Sequence, residues 1–174
     1  MKISKMKNCK TLLLILTLSF GLSSFAQYKN FEASVHLGIP TGEVEDFINI
    51  VYGLDLTYYL SNDIGGIIDL GITGGYTEFN YDTKGGFIDG NDASFMKVAA
   101  AGKLNFQNNV YFNTDLGYAF GLDQVNGGLY FSPKIGYHFD SFLVHVYYTY
   151  IRNSSSGIND FDYTSVGIGF GIRL

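Results

Sequence analysis

Cysteine is almost missing from this sequence, and its shortage excludes several kinds of chemistry. The 174 residues include one cysteine, Cys9, which lies in an N-terminal segment that we predict to be removed. The mature chain is then expected to have no disulfide, no thiol nucleophile and no cysteine-ligated metal. Proline is also scarce, with two residues, and tryptophan is absent.

Long hydrophobic runs are confined to the N-terminus. Four lysines, the apolar stretch TLLLILTLSFGL and the ending SSFA before Gln27 form the pattern of a secretory signal peptide. The apolar stretch is shorter than the roughly 17–25 residues that a membrane-spanning helix needs. We therefore predict a cleaved signal peptide over 1–26 and a single domain over 27–174. No later segment is apolar enough for a membrane helix, so any membrane role must rest on strands.

Basic residues are also few compared with acidic ones. All 16 acidic residues but only seven of the 11 basic ones lie in 27–174, which gives that segment a formal charge of −9. So acidic a chain is a poor nucleic-acid binder, and we expect no nucleic-acid partner. Many of the acids fall between the segments described next, with only Lys84 and Arg152 to oppose them: Glu43, Glu45, Asp46, Glu78, Asp82, Asp89, Asp92, Asp123, Asp160 and Asp162.

Apolar and polar residues alternate with a period of two in eight segments. In the last, VGIGFGIRL, apolar residues share one face while three glycines and Arg173 share the other; in the second, the apolar face begins with Ile48. An apolar strand with an open edge invites aggregation, and closure into a barrel removes the edge. The pattern predicts an all-β, eight-stranded antiparallel up-and-down transmembrane β-barrel whose apolar face meets lipid. The segments are 31–39, 48–60, 64–73, 96–104, 110–120, 129–139, 142–150 and 166–174.

The connections between these segments alternate in length. Long polar loops are predicted at about 40–47, 77–92, 121–127 and 152–161, and short turns at 61–63, 107–109 and 140–141. Outer-membrane barrels have long external loops and short periplasmic turns, so both termini are expected on the periplasmic side. A soluble lipocalin-like barrel, apolar inside and polar outside, remains an alternative because alternation alone does not say which face points inward.

The short turns also predict strand register, because cross-strand partners share a face. A two-residue turn at 140–141 places Phe139 opposite Phe142 and Lys134 opposite Tyr147. Three-residue turns at 61–63 and 107–109 place Leu60 opposite Ile64, and Phe106 opposite Val110.

The inward face is expected to carry a balanced set of charges. Eight strands enclose a lumen that side chains just fill, and buried charges must be paired, so we predict a charge network that plugs the barrel. A narrow ion path is the alternative. The predicted register sets Asp55 opposite Asp69, which would require an intervening cation from Lys97, Lys134 or Arg173, or a shared proton. Glu32 and Arg173 could pair across the closing seam. The network comprises Glu32, Asp55, Asp69, Lys97, Lys103, Asp115, Lys134 and Arg173.

The three histidines, His36, His138 and His145, all fall on the inward face. Their spacing does not show the convergence that a metal site needs, so we predict structural lumen histidines, with no metal and no cofactor. No Ser–His–acid set falls at an outer rim, and we predict no catalytic residue. The Asp- and Gly-rich segment 82–92 could hold Ca²⁺ through oxygen ligands, although it lacks EF-hand spacing; a solvated loop is the alternative.

These features together resemble the small eight-stranded outer-membrane barrels of the OmpA/OmpX type. The resemblance covers 27–174 and rests on the signal peptide ending SSFA, the mature size and the terminal strand YTSVGIGFGIRL. It implies that the barrel-assembly machinery reads the terminal strand, where Phe170, Ile172 and Leu174 occupy the alternating positions and Leu174 replaces the usual final aromatic residue.

The expected function follows from architecture more than from any motif. We expect a monomer in the outer membrane, in contact with outer-membrane lipid and lipopolysaccharide. A non-enzymatic role in membrane integrity, or in surface interaction through the acidic loops, is predicted. The alternatives are a narrow porin-like channel for ions or small solutes and a lipid-modifying outer-membrane enzyme. Fold does not decide between them.

Overall fold

The computed structural model describes residues 30–64, 67–81, 92–122, 125–153 and 162–174. The predicted signal peptide lies outside these residues, as does nearly all of the segment in which calcium ligands were expected. Among the described residues, no helix is long and apolar enough to cross a membrane.

Eight strands form one closed antiparallel barrel. Each strand pairs with its neighbours in sequence, and the first also pairs with the last, so the sheet has no free edge strand. The predicted fold class is therefore confirmed. The strands are β1 Phe31–Thr41, β2 Ile48–Ile64, β3 Ile68–Tyr81, β4 Ala93–Asn105, β5 Val110–Gly121, β6 Gly128–Phe139, β7 Phe142–Ile151 and β8 Tyr163–Arg173.

The outer wall of the barrel is apolar, and charged side chains lie in its interior. Val35, Leu54, Leu116 and Phe170 point outward and are between 48% and 60% exposed, and similar side chains surround the barrel as an apolar belt. Most charged side chains of the described strand residues are buried inside it. A soluble barrel with an apolar lumen has these faces reversed, so that alternative is wrong for this chain.

The two ends of the barrel differ. We call the end that carries the short connections the turn end, and the opposite end the loop end. At the turn end, Phe139 faces Phe142 and Lys134 faces Tyr147 across the predicted turn, where Asp140 adopts a positive φ of 52°. The turn over Gln107–Asn109 is confirmed too, because the Phe106 amide donates to the Val110 carbonyl at 2.8 Å.

The predicted turn at 61–63 is wrong. Those residues continue β2, which ends at Ile64. Ile64 pairs with Ile68, and not with Leu60 as predicted. The β2–β3 ladder shifts register between Tyr59 and Ile64, and bulges of this kind break the strict alternation on which the prediction relied. Because β2 continues to Ile64, Asp55 lies opposite Gly75 and not opposite Asp69.

Bulges and strand length also correct several predictions at the loop end. Another register shift follows Ile48, which is buried inside the barrel although alternation assigned it to the outer face. β1 continues through Pro40 and Thr41, which pair with β8, and β3 continues to Tyr81. Glu78 therefore lies on a strand and not in the predicted loop that follows it.

The loop end of the interior is filled by apolar side chains, which we call the loop-end plug. Phe79, Phe95 and Tyr163 meet edge to face at its centre, with ring centroids 5.0 to 5.9 Å apart. The 3₁₀ turn Gly42–Val44 adds its buried valine from above. The plug comprises Val44, Ile48, Val51, Phe79, Ala93, Phe95, Ala99, Ala119, Tyr130, Ile151 and Tyr163.

Candidate functional site in the barrel interior

Below the loop-end plug, four buried charges from four strands form a continuous chain of ion pairs. The Asp55 carboxylate lies 2.7 Å from the Lys97 ammonium and accepts a hydrogen bond from Lys134 at 3.2 Å, and the Lys134 ammonium lies 2.7 Å from Asp115. All four side chains are almost fully buried. Because the signs balance, the chain is neutral overall, as burial in a low-dielectric interior requires.

A glycine on the intervening strand allows this chain to form. Gly75 lies between Asp55 on β2 and Lys97 on β4 in the strand register. A Cβ at Gly75 would meet the Asp55 carboxylate and would lie 3.1 Å from Cε of Lys97. The lysine therefore reaches its carboxylate across a gap that only glycine leaves open.

A second group of charges lies nearer the turn end. Glu32 accepts from the Lys103 ammonium and from the Arg173 guanidinium, with Nη2 at 2.8 Å and Nε at 3.2 Å. Glu32 and Arg173 face each other directly across the β1–β8 seam. The Lys103 ammonium also lies over the Tyr59 and Tyr111 rings, 4.5 and 4.8 Å from their centroids.

Polar side chains join the two charged groups. The Tyr59 hydroxyl lies 3.5 Å from both the Glu32 carboxylate and the Asn113 side-chain oxygen. Asn113 in turn donates to Asp115 at 2.9 Å. Seven of the eight charges predicted for the lumen thus belong to one connected network.

Asp69, the eighth predicted charge, is positioned differently. It faces Lys103 across the β3–β4 ladder and accepts a hydrogen bond from Asn105 at 2.8 Å. The predicted Asp55–Asp69 pair is therefore wrong. Of the three cations considered for it, Lys97 and Lys134 bind Asp55, whereas Arg173 binds Glu32.

The histidines lie in the interior on separate strands. His36 has one ring nitrogen 3.6 Å from Asp55 and the other 3.2 Å from the Thr77 hydroxyl. His145 is 3.1 Å from the Tyr111 hydroxyl, and His138 stacks on the same tyrosine ring with centroids 4.5 Å apart. Within the described parts of the chain, no three His, Cys, Asp or Glu side chains are placed to hold a metal ion.

The gap beside the ion-pair chain has no room for a substrate. The gap enclosed by His36, Asp55, Lys97, Lys134, His145 and their neighbours does not admit a water molecule. The charges around it contact one another and not solvent. This packing of paired charges supports the structure of the barrel.

The terminal strand presents its alternating apolar residues outward. Phe170 pairs with Val35 and Val144, and Ile172 pairs with Ala33 and Phe142, all within the apolar belt. The Leu174 amide donates to the Phe31 carbonyl at 2.8 Å, which extends the seam by one hydrogen bond.

Two features of the loop end were missed by the sequence reasoning. The loop-end plug was missed because alternation assigned apolar side chains to one face only; the signal was present where apolar residues adjoin, as in Phe95 beside Met96. Tyrosine–carboxylate pairs were missed as well. Tyr52 and Tyr76 each donate to Glu78 at 2.5 Å, and Tyr150 donates to Asp162 at 2.6 Å.

Comparison with known proteins identifies the fold. The sequence matches no protein-family model and no curated protein. The outer membrane enzyme PagL superposes with a TM-score of 0.62 at 13% identity, covering 82% of this chain and 99% of that chain. Ail, the attachment invasion locus protein of Yersinia pestis, gives 0.55 at 16% identity, covering 84% and 100%. A de novo designed transmembrane β-barrel gives 0.51 at 12% identity, covering 83% and 96%.

These structural neighbours include outer-membrane proteins, and the chain has their fold. The predicted resemblance to small outer-membrane barrels of the OmpA/OmpX type is confirmed at the level of architecture. At such low identity the neighbours carry no information about activity.

Proposed function

We propose that this protein is a monomeric outer-membrane β-barrel with a non-enzymatic role in membrane integrity or in surface interaction through its acidic loop end. The observation that carries the proposal is the filled interior. The loop-end plug and the charge network below it occupy the lumen with side chains from all eight strands, so the barrel acts through its outer wall and its ends.

The apolar belt supports a position in the membrane. Large apolar side chains cover the outer wall on every strand, and a monomeric soluble protein rarely exposes so large a contiguous apolar surface. In a membrane this surface contacts lipid, while the closed sheet satisfies the backbone groups. We infer export by the signal peptide over 1–26, insertion by the barrel-assembly machinery, and contact with outer-membrane lipid and lipopolysaccharide.

The acidic loop end supports a role at the cell surface. Among the described residues there, Glu43, Glu45 and Asp46 are exposed on the segment between β1 and β2. Asp162 is held beside them, because its amide donates to the Glu43 carboxylate at 3.1 Å. A concentrated negative charge attracts cationic groups or divalent cations.

The enzyme alternative has less support. All three histidines of the chain face the interior, so none is placed as a general base toward lipid at the outer wall. PagL is an enzyme, but what it shares with this chain is the fold. Lipid A from cells that overproduce this protein should have an unchanged mass spectrum, and a new acylated or deacylated species would support the enzyme instead.

Two measurements test the proposal. Outer-membrane fractions run on a denaturing gel with and without boiling should show a shift in mobility, because a closed barrel resists detergent until heated. The unboiled species should then give no steady conductance in a planar bilayer. A soluble periplasmic protein without a shift would refute the membrane position, and stable single-channel steps would favour the narrow channel.

A further inference from the structure

A group of polar side chains lies at the loop-end edge of the apolar belt, on the outer wall of β2, β3 and β4. At its centre, the two carboxylate oxygens of Glu78 accept hydrogen bonds from the hydroxyls of Tyr52 and Tyr76, each at 2.5 Å. The Ser94 hydroxyl lies 3.0 Å from that of Tyr76. Glu78 faces outward, because the residues on either side of it are buried inside the barrel. We call these four residues the polar cluster.

Glu78 has no cationic partner. Its side chain is partly exposed, and it forms no ion pair with any described residue. A carboxylate on a lipid-facing wall is costly unless hydrogen-bond donors or a counter-ion compensate its charge. Each carboxylate oxygen can accept a further hydrogen bond beyond the one that a tyrosine donates. The polar cluster therefore favours a ligand that donates hydrogen bonds.

An apolar groove of about 410 Å³ lies beside the polar cluster on the same outer wall. Its size falls within the range typical of small-molecule sites. Apolar side chains of β1, β2, β7 and β8 form its walls, among them Leu37, Val166 and Ile168, and Asn49 is the one polar side chain that lines it. The groove therefore favours a hydrocarbon chain.

Strand register joins the groove directly to the polar cluster. Ile168 pairs with Leu37 across β8–β1, and Leu37 pairs with Tyr52 across β1–β2. Tyr52 pairs with Glu78, which in turn pairs with Ser94. Because cross-strand partners share a face, this row runs along the outer wall from the groove to the polar cluster without a break. One amphipathic molecule can therefore contact both.

The chemistry of the two surfaces restricts what that molecule can be. It must carry an acyl chain for the groove, and hydroxyl or amide N–H donors next to that chain for Glu78. A phosphate in direct contact with Glu78 is disfavoured by like charge. In the leaflet that faces the cell surface, these requirements are met by lipid A, whose acyl chains are attached through amides and esters to glucosamine rings.

We propose that the groove and the polar cluster bind one lipid A unit of lipopolysaccharide. An acyl chain lies in the groove, and hydroxyl and amide N–H groups of a glucosamine ring donate to the Glu78 carboxylate. The proposal rests on the membrane position proposed above, with the loop end at the cell surface. It assigns a defined site to the contact with lipopolysaccharide.

Native mass spectrometry of the detergent-folded protein tests the site with two probes, tetra-acylated lipid A and cardiolipin. Cardiolipin matches this lipid A in the number of acyl chains and phosphates but has no sugar and no amide. Both titrations contain EDTA, so that divalent cations do not bridge phosphates to carboxylates. We expect one lipid A to bind at least about tenfold more tightly than cardiolipin. Equal affinities, or selectivity only after Mg²⁺ is restored, would refute the proposed contact between the sugar and Glu78.

A matched pair of variants tests Glu78 itself. Glu78→Gln and Asp140→Asn each replace one carboxylate by an amide, the second at the turn end. Glu78→Gln should weaken lipid A binding about fivefold, because the amide nitrogen does not accept the donors of the ligand. A merely electrostatic effect has the opposite sign, since removal of a negative charge favours an anionic lipid. Unchanged or tighter binding in Glu78→Gln would overturn the proposal, and Asp140→Asn should bind as the wild type does.

A second pair tests the groove. Val166→Phe places a ring in it, whereas Val98→Phe adds the same bulk at an exposed position on β4 that does not line it. We expect lipid A binding to be lost in Val166→Phe and retained in Val98→Phe, and equal retention in both would contradict the groove assignment. Each variant is first checked for the boiling-dependent gel shift. Wild-type protein without that shift refutes the membrane position itself, whereas a normal shift without selective lipid A binding refutes only this site.

Discussion

At the scale of single residues, Asp55 is the point on which the interior charges converge. It is the shared partner of Lys97 and Lys134, and His36 lies beside it. Removing one member of a buried ion pair leaves the other charge uncompensated, which costs far more than the pair itself contributes.

Asp55→Asn should therefore destabilise the folded barrel by about 3–5 kcal/mol, because the Lys97 ammonium loses its carboxylate in a dry interior. The matched control is Asp69→Asn, which replaces a buried carboxylate that has no ion pair within 4 Å among the described residues and which still accepts from Asn105. Its cost should stay below about 1 kcal/mol. Urea unfolding in detergent measures both, and equal costs would show that Asp55 is not the centre of the network.

The alternating pattern predicted which charged side chains lie inside the barrel, but not which of them contact one another. Alternation gives the face of a side chain, and all eight charges were assigned to the interior by that rule alone. Contacts across a lumen depend on barrel shear and on bulges, which no local pattern contains. The error at Asp55 and Asp69 arose from the turn, because β2 continues to Ile64 and the whole β2–β3 register moves with it.

At the scale of strands, several interior rings lie over a glycine on the neighbouring strand. His145 faces Gly169 across β7–β8, and His36 faces Gly53 across β1–β2. A Cβ on either glycine would meet the imidazole ring. The ring occupies the volume that the glycine leaves, so strand pairing and lumen packing depend on the same residues.

Gly169→Ala should cost about 1–3 kcal/mol, because the added methyl collides with the His145 ring. On a His145→Ala background the same change should be nearly neutral, since only ring atoms are among the near contacts. Gly102→Ala is the control, because its nearest neighbour would be a Leu70 methyl at 3.9 Å. A double-mutant cycle by urea unfolding checks this, and strict additivity would argue against the collision.

The β1–β8 seam offers a second comparison. Glu32→Gln should cost about 3 kcal/mol, since it leaves the buried Lys103 without its carboxylate. Arg173→Met should cost less than about 1 kcal/mol, because the arginine side chain is 29% exposed and Lys103 keeps its partner. Thermal unfolding in detergent compares the stability of the two variants, and a larger loss of stability for Arg173→Met would contradict the prediction.

Strand boundaries were predictable where turn geometry was regular. The two-residue turn at 140–141 and the three-residue turn at 107–109 were predicted with the correct register. A turn was wrongly predicted at Ser61–Asp63 because Ser, Asn and Asp favour turns locally. In the structure these residues continue a long strand. Tertiary pairing with β3 outweighed the local preference.

At the scale of the whole molecule, the apolar belt determines where a new charge is tolerated. Leu116→Arg in the middle of β5 should destabilise the barrel by about 2–4 kcal/mol in vesicles, whereas Phe142→Arg beside the turn end should cost about 0–1 kcal/mol from its charge. Reversible folding into vesicles across a urea series measures both. Equal small costs would mean that the wall does not contact hydrocarbon.

Strand number and closure could be predicted from the sequence because both follow from one repeated pattern, whereas that pattern alone does not say which face points inward. The loop-end plug could not be predicted, because apolar residues on both faces of a strand cancel the alternating signal. Phe79 and Phe95 follow the inward alternation of Thr77 and Lys97, but that alternation does not predict that the lumen is apolar at their height.

The pairing of Glu32 with Arg173 has a consequence for the order of events during biogenesis. The two residues lie 141 positions apart, and contacts between such distant parts of a chain are slow to form. The seven pairings between consecutive strands can form locally while the edges of β1 and β8 stay unpaired. We therefore expect closure of the cylinder, in which the guanidinium reaches the carboxylate, to be the final and slowest event.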